Sequence, residues 1–462
     1  MDTLNVLAID MGSSSLRAVL GTWSARGLTR QEVLRVPHKA HGDPLVWDLA
    51  RLGSAARTAV TKASEHLGRL PDGIGVCGWG VDFVGVDTHN SSTTPARAYR
   101  GPQGSRGRSV LAANDWDAYR STGVLPQDIN SVYQVAGLLD EDADWFRSSS
   151  ALEFLPDWIA RDLATATYGP FDKPAEVPAW ISRGIGSTSG FFTRDGHTLT
   201  DELRIPGMVT NLLPPVADEL SIAASRNNMA VVRAGSHDTA CAAYSLGEDY
   251  TGLFLSCGSW AIAGALTPEP AISRRAFEAG LTNEATTDGR NRAQINLTGM
   301  WIAQECRRQW AREGWVPSYA ELNALTLAAD LPDVTIDVTH RELMTPGNMP
   351  EKIVHIARDE LGLELHSPGE ILALTQRSVA SACADAINKL RDITGAGGSV
   401  ALIGGGVRDP YFVRAVRNYL GDVVLGDPES TTLGNIAAQL VTLGVSKDDI
   451  QPWSTGMRNA AP

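Results

Sequence analysis

Residues 8–20, A-I-D-M-G-S-S-S-L-R-A-V-L, and residues 254–266, F-L-S-C-G-S-W-A-I-A-G-A-L, decide the fold. Laid over each other, Asp10 falls on Ser256, Gly12 on Gly258 and Ser13 on Ser259. Each stretch reads as an apolar strand, a tight turn of small residues and a second apolar strand. Gly and Ser in such a turn let backbone N–H groups point outward and lie close to an anion. One turn in each half of the chain predicts two similar lobes facing one nucleotide between them.

Outward from these turns the pattern alternates strand and helix. Asn5–Ala8 and Arg17–Leu20 read as a strand pair, and Leu49–Leu67 carries apolar residues at helical spacing. Ile74–Val76 and Val84–Val86 are short strands around Gly78–Phe83. The Gly/Arg-rich stretch Gly101–Gly107 reads as a loop, and Leu152–Ala164 as a helix with an early proline. Gly169–Pro215, rich in Pro, Gly and Thr, reads as an irregular, substrate-facing insertion. Val231–Ala234 is a strand, Gly235–Asp238 a turn, and a helix begins at Thr239. The second half repeats the scheme. Ala293–Leu297 is a strand, Met300–Glu313 and Ser378–Thr394 are helices, and the strand Val400–Ile403 runs into Gly404-Gly405-Gly406. The helices Tyr411–Leu420 and Leu433–Leu443 follow. The alternation indicates an α/β fold, with lobes of residues 1–246 and 247–462.

The 462 residues are 43% apolar and 20% charged, which predicts a packed core rather than disorder. With 53 acidic against 40 basic residues and no basic run, the chain lacks a footprint for nucleic acid or an anionic membrane. There is no secretory leader pattern and no run of eighteen apolar residues, so a cytoplasmic protein is expected. Five scattered cysteines, odd in number and without C-x-x-C, read as free thiols. Among them Cys257 reads as a small buried residue rather than a nucleophile.

Four places carry chemistry, each with an ordinary alternative. Asp10, at a strand end beside an anion-accepting turn, is placed to meet Mg²⁺, or simply caps the turn. Asp238, at a helix N-terminus, is a general base for a hydroxyl attacking phosphorus, or a helix cap. Beside it, His237 is placed to donate to a sugar oxygen. Gly404–Gly406 leaves room for a planar ring against the backbone, or is a flexible turn. Trp79, between two glycines, forms one wall of a sugar site, or packs in the core. No G-x-x-x-x-G-K-[ST] loop occurs.

Taken in order, D-x-G-S, G-W-G-V-D-F (78–83), S-H-D-T (236–239), C-G-S-W (257–260), N-L-T-G-M-W-x-x-Q (296–304) and G-G-G resemble the FGGY carbohydrate kinases. The resemblance covers residues 4 to 445. It also takes in A-Y-R at 98–100, N-S-V-Y-Q at 130–134, L-P-D-W at 155–158, T-N-E at 282–284 and S-T-T-L-G-N-I at 430–436. It implies the two-lobed actin/hexokinase-like ATPase fold, with ribonuclease H-like duplicated domains and a cleft between the lobes. It implies ATP- and Mg²⁺-dependent phosphorylation of a ketose at its C1 hydroxyl, L-rhamnulose above all, with L-fuculose, L- or D-xylulose and polyols as alternatives. A non-catalytic ATP-binding protein of the same superfold is the more distant alternative.

By the same resemblance, Asp238 is the catalytic base. Trp79, Gly80, Asp82, His237, Thr239 and Asn296 belong to the sugar site. Ser13, Ser14, Ser15 and Arg17 lie by the ATP phosphates, and Gly258, Ser259, Gln304, Gly404 and Gly405 contact ATP. Asp10 helps to place the metal. Monomer and homodimer both stay open. The chain departs from the family pattern at Leu16, Ser259, Arg408-Asp409 and Gly101, the last removing a carboxylate near the sugar pocket.

Overall fold

The computed structural model describes residues 3–12, 14–168 and 176–454, so Ser13 and residues 169–175 lie outside the described residues. Two six-stranded sheets organise the chain. Across the first, the order is Gly27–Pro37, Ser15–Ser24, Leu4–Met11, Gly73–Gly78, Met229–Arg233 and Ser221–Arg226. Across the second, it is Thr282–Ala285, Asn291–Thr298, Trp260–Thr267, Leu253–Cys257, Val400–Ile403 and Val423–Leu425. In each, a central apolar strand, Leu4–Met11 or Leu253–Cys257, pairs antiparallel with the arm that follows its turn. On its other side it pairs parallel with a strand reached by a crossover. Strands covered on both faces are apolar almost throughout, which is how both runs read in the sequence. The result is a two-lobed α/β architecture built on a duplicated five-strand unit.

The two hairpins are not identical. Asp10 faces Arg17 across the first, whereas Ser256 faces Ile262 across the second, which is one residue shorter. Gly12 N–H donates to the Ser15 carbonyl at 3.0 Å, while Gly258 N–H donates to the Trp260 carbonyl at 2.8 Å. The overlay of the two stretches therefore holds up to the turn and slips by one residue after it. A slip of one residue changes which side chain faces the strand end, so the charge pair of the first hairpin has no counterpart in the second.

The helix Leu49–Leu67 has the bounds its periodicity predicts, with the Asp48 carboxylate capping it at Arg51 N–H and Gly68 closing it. Gly101–Gly107 is different. Most of it is a helix, Gln103–Leu111. A Cβ on Gly107 would overlap the Tyr133 carbonyl, so this glycine lets the helix lie backbone to backbone on the helix Ser131–Glu141, and a Cβ on Gly104 would overlap the Asp128 carbonyl of the segment that leads into it. Gly107→Ala is expected to destabilise the protein by about 1–3 kcal/mol through this overpacking. Urea unfolding checks it, and an unchanged midpoint would mean that the two helices part freely.

Leu152–Ala164 is likewise divided. Ala151–Phe154 is a buried strand against Phe83–Val86, and the helix is Leu155–Thr165, with Pro156 in its first turn where a missing N–H costs nothing. The described part of the 169–215 stretch is irregular, as its composition predicts, with elements of two to four residues. Its Trp180, Ile181, Phe191 and Phe192 are nevertheless core residues. The helix read as Ser378–Thr394 extends back to Pro368, capped by a reciprocal Ser367–Glu370 box. Finally, Ser430–Thr442 returns from the second half onto the first sheet, where Gln439 Nε2 donates to the Leu7 carbonyl at 3.1 Å. No helix among the described residues is long and apolar enough to cross a membrane.

Candidate active site

The S-H-D-T segment is held by its neighbours before it can hold anything else. The strand Met229–Arg233 ends, the chain turns through Gly235 and Ser236, and the helix Asp238–Tyr244 begins. Gly78 N–H, at the end of the adjacent parallel strand, donates to the Ser236 carbonyl at 2.9 Å. Asp157, from L-P-D-W, is buried and accepts from Ser236 Oγ at 2.7 Å, Ser182 Oγ at 2.6 Å and Ser182 N–H at 2.8 Å. This motif fixes the residue before His237.

His237 caps the helix. The Thr239 N–H lies 2.6 Å from Asp238 Oδ1 and 3.1 Å from His237 Nδ1, and Nδ1 is 3.0 Å from Oδ1, within reach to donate to it. Burial pushes the Asp238 carboxyl up, but His237, the Thr239 N–H and Arg292 outweigh it and hold it below the ordinary carboxylate range. Asp238 is therefore a carboxylate at neutral pH, and its side chain is 34% exposed, open to a ligand.

W-G-V-D-F sits against this pair. A Cβ on Gly80 would run into the His237 ring, so only glycine lets the loop lie flat on the imidazole. Ser131 Oγ and Gln134 Nε2, from N-S-V-Y-Q, both donate to the Val81 carbonyl, at 2.8 and 3.1 Å, and anchor the loop. Asp82 Oδ2 accepts from Trp79 Nε1 at 2.9 Å and from Trp47 Nε1 at 2.6 Å, while Asp82 Oδ1 has no partner. The two indoles lie 4.5 Å apart, with the His38 ring 5.5 and 5.8 Å from them. Trp47 and His38 stand beside Trp79 and Asp82, and neither was among the sugar-site residues expected from the sequence.

Burial pushes Asp82 up to about 7, against the pull of the two indole N–H groups. The folded chain thus favours the neutral acid. That contribution to stability is full below the ordinary carboxylate range and is lost as pH rises toward 7. Asp82→Asn should remove it: between about pH 4 and 7 the wild type should lose on the order of 1–3 kcal/mol relative to the variant. Parallel pH slopes in chemical unfolding would contradict this.

At the first turn, Ser14 is exposed and Ser15 half-buried. Ser13 lies outside the described residues. Asp10 is buried and ion-paired with Arg17, whose other arm pairs with Glu429; Glu429 in turn accepts from Arg408 at 2.7 Å. A chain of charge thus runs from the first turn to the glycine loop of the other lobe. Glu429 escaped the sequence reading because nothing local marks a partner 412 residues from Arg17. Burial pushes the Asp10 carboxyl up, Arg17 opposes it, and the charges of Asp238 and Glu429 are close enough to add to the rise. No group of three metal-binding side chains exists among the described residues. Asp10, paired with Arg17, offers a single carboxylate, which fits Mg²⁺ that would arrive on phosphate oxygens with its own waters, not a cage built by the protein.

The remaining residues gather on the second lobe. Gly258 is exposed at its turn, and Ser259 Oγ donates to Gln304 Oε1 at 2.9 Å. Gly404, at a φ of 80°, lies against the Cys257 carbonyl, and Gly405 is exposed beside it. Asn296 is exposed near the end of the strand Asn291–Thr298, opposite Ile262 on the arm that follows the second turn. The departures from the family pattern also have structural roles. Leu16 is fully buried, and Asp409 caps the helix Pro410–Leu420 at the Phe412 N–H, 3.0 Å away. Gly101 leads into the helix Gln103–Leu111.

Residues 253–443 match the C-terminal domain of the FGGY family of carbohydrate kinases. A rhamnulokinase from Halalkalibacterium halodurans is 26% identical over 95% of this chain and 93% of its own. One from Oceanobacillus iheyensis is 24% identical over 96% and 94%. The crystal structure of xylulose kinase from Rhodospirillum rubrum superposes with a TM-score of 0.72, at 16% identity, over 97% of this chain and 92% of that one. That likeness carries the actin/hexokinase-like ATPase fold alone. Domain match, full-length relatives and duplicated architecture converge: the chain is similar over nearly its whole length to carbohydrate kinases of the FGGY type.

Proposed function

We propose that the protein transfers the γ-phosphoryl group of ATP to the C1 hydroxyl of a ketose, L-rhamnulose above all. The observation that carries this reading is Asp238: a carboxylate held ionised, open to a ligand, and placed beside Gly80 and His237. A primary hydroxyl is a weak nucleophile, and a carboxylate within reach takes its proton as the oxygen attacks phosphorus. Trp79, Gly80, Asp82, His237, Thr239 and Asn296 orient the sugar. Ser13, Ser14, Ser15 and Arg17 face the phosphates from the first turn, and Gly258, Ser259 and Gln304 from the second. Gly404 and Gly405 border the adenine. Mg²⁺ supplies charge neutralisation on the phosphates, with Asp10 as the carboxylate that meets it.

Residues 1–246 form the sugar lobe and 247–462 the nucleotide lobe in this reading. Closure of the lobes excludes water, which would otherwise compete with the sugar hydroxyl. The five buried free cysteines accord with a reducing, cytoplasmic setting.

The choice of sugar rests on the rhamnulokinase relatives and on motifs that surround W-G-V-D-F. Its test is kcat/KM across L-rhamnulose, L-fuculose, L- and D-xylulose and simple polyols with Mg²⁺-ATP. L-rhamnulose is expected to lead by about tenfold or more, the discrimination that one or two well-placed hydrogen bonds supply. A lead by another sugar would reassign the pocket and leave Asp238 in place.

A further inference from the structure

The second lobe buries two polar side chains, Arg292 and Gln294, on one strand. Arg292, Gln294 and Asn296 alternate along the strand Asn291–Thr298 and so share one face of the sheet. Arg292 is fully buried. Its Nη2 pairs with Glu284, its register partner on the edge strand Thr282–Ala285, while its Nε and Nη1 have no partner. Gln294 Oε1 is also buried without one. An arginine with a single carboxylate and two idle donors is a poor structural ion pair. Burying a guanidinium costs several kcal/mol, which one contact does not recover.

Glu284 has a second neighbour. Its Oε2 lies 3.9 Å from His237 Nε2, across from the other lobe. The imidazole therefore has Gly80 on one face, Asp238 at Nδ1 and Glu284 facing Nε2. The last of these is longer than a hydrogen bond, so a small approach of the lobes would make it.

We propose that Glu284 and Arg292 are positioning residues. Arg292 holds the Glu284 carboxylate, and Glu284 fixes the His237 ring from the opposite lobe, so that His237 and Asp238 meet the sugar in register only when the lobes close. The inference rests on the sugar-kinase reading. It adds Glu284, in T-N-E, and Arg292 to the second-lobe groups that act on the sugar side of the site.

The test compares Glu284→Asp, Glu284→Gln and the double variant Glu284→Gln/Arg292→Gln, using the best sugar of the panel. Glu284→Asp keeps the charge but shortens the reach. It should lower kcat/KM for sugar about tenfold or more, while KM for ATP and the melting midpoint stay near wild type. Glu284→Gln should lose about 10²-fold, the scale of an ångström-sized misplacement. The double variant, which leaves no unpaired buried charge, should recover folding but not kcat/KM for sugar. Recovery of kcat/KM in the double variant, or equal changes in the sugar and ATP KM values, would show a purely structural ion pair and overturn the inference. A wild type inactive on every sugar would overturn the kinase reading and this inference together. An active wild type with unaffected variants overturns this inference alone.

Discussion

Asp238→Asn is expected to lower kcat about 10²–10⁴-fold and to leave the sugar KM within about threefold of wild type. The split follows from the geometry. Asn keeps the shape of Asp and an oxygen to accept the Thr239 N–H, so the helix start and the His237 cap survive. What disappears is the acceptor for the proton of the sugar hydroxyl. The environment invests in that acceptor: His237, the backbone amide and Arg292 together hold the carboxyl below its ordinary range in spite of burial. Steady-state kinetics at saturating ATP checks the prediction. A variant that retains more than about a tenth of wild-type kcat would exclude Asp238 as the base, because general-base help of that size is too small to need a dedicated carboxylate.

Gly405→Val should act on the other substrate. It is expected to raise the KM for ATP about tenfold or more and to leave the sugar KM unchanged. Gly405 is exposed and its Cβ position is open, with the nearest atom, the Cys257 carbonyl oxygen, 3.9 Å away. The added methyl groups therefore stand over the loop without disturbing the fold and fill the space that a planar base would occupy. Equal changes in both KM values would place the adenine elsewhere.

Much of this arrangement was legible in the sequence because it is local. The central strands announce themselves as apolar runs ending in small-residue turns, and the helix Leu49–Leu67 by its period. The association of S-H-D-T with W-G-V-D-F followed from a family resemblance, and its physical basis is the parallel pairing of Gly73–Gly78 with Met229–Arg233. What local reading misses is contact between distant segments. Gly107 looks like a loop residue until the helix Ser131–Glu141 is laid on it, since close backbone packing and flexibility call for the same residue. The start of the helix at Pro368 was hidden by Pro-Gly, although S-P-G-E at 367–370 carries the S-x-x-E capping pattern that marks it. Trp47, Glu429 and Arg292 reach the site across long separations. The Arg17–Glu429 pair needs the helix Ser430–Thr442 to fold back onto the first sheet, and no spacing rule announces that.

The central claim is a phosphoryl transfer to one particular hydroxyl, so the most direct measurement is the identity of the product. Purified protein with Mg²⁺-ATP and L-rhamnulose, followed by ADP release and by ³¹P and ¹³C NMR of the sugar, is predicted to give stoichiometric ADP and a single phosphomonoester on C1. Sugar-independent ATP hydrolysis, no turnover with any ketose, or phosphate on a ring hydroxyl would contradict the account.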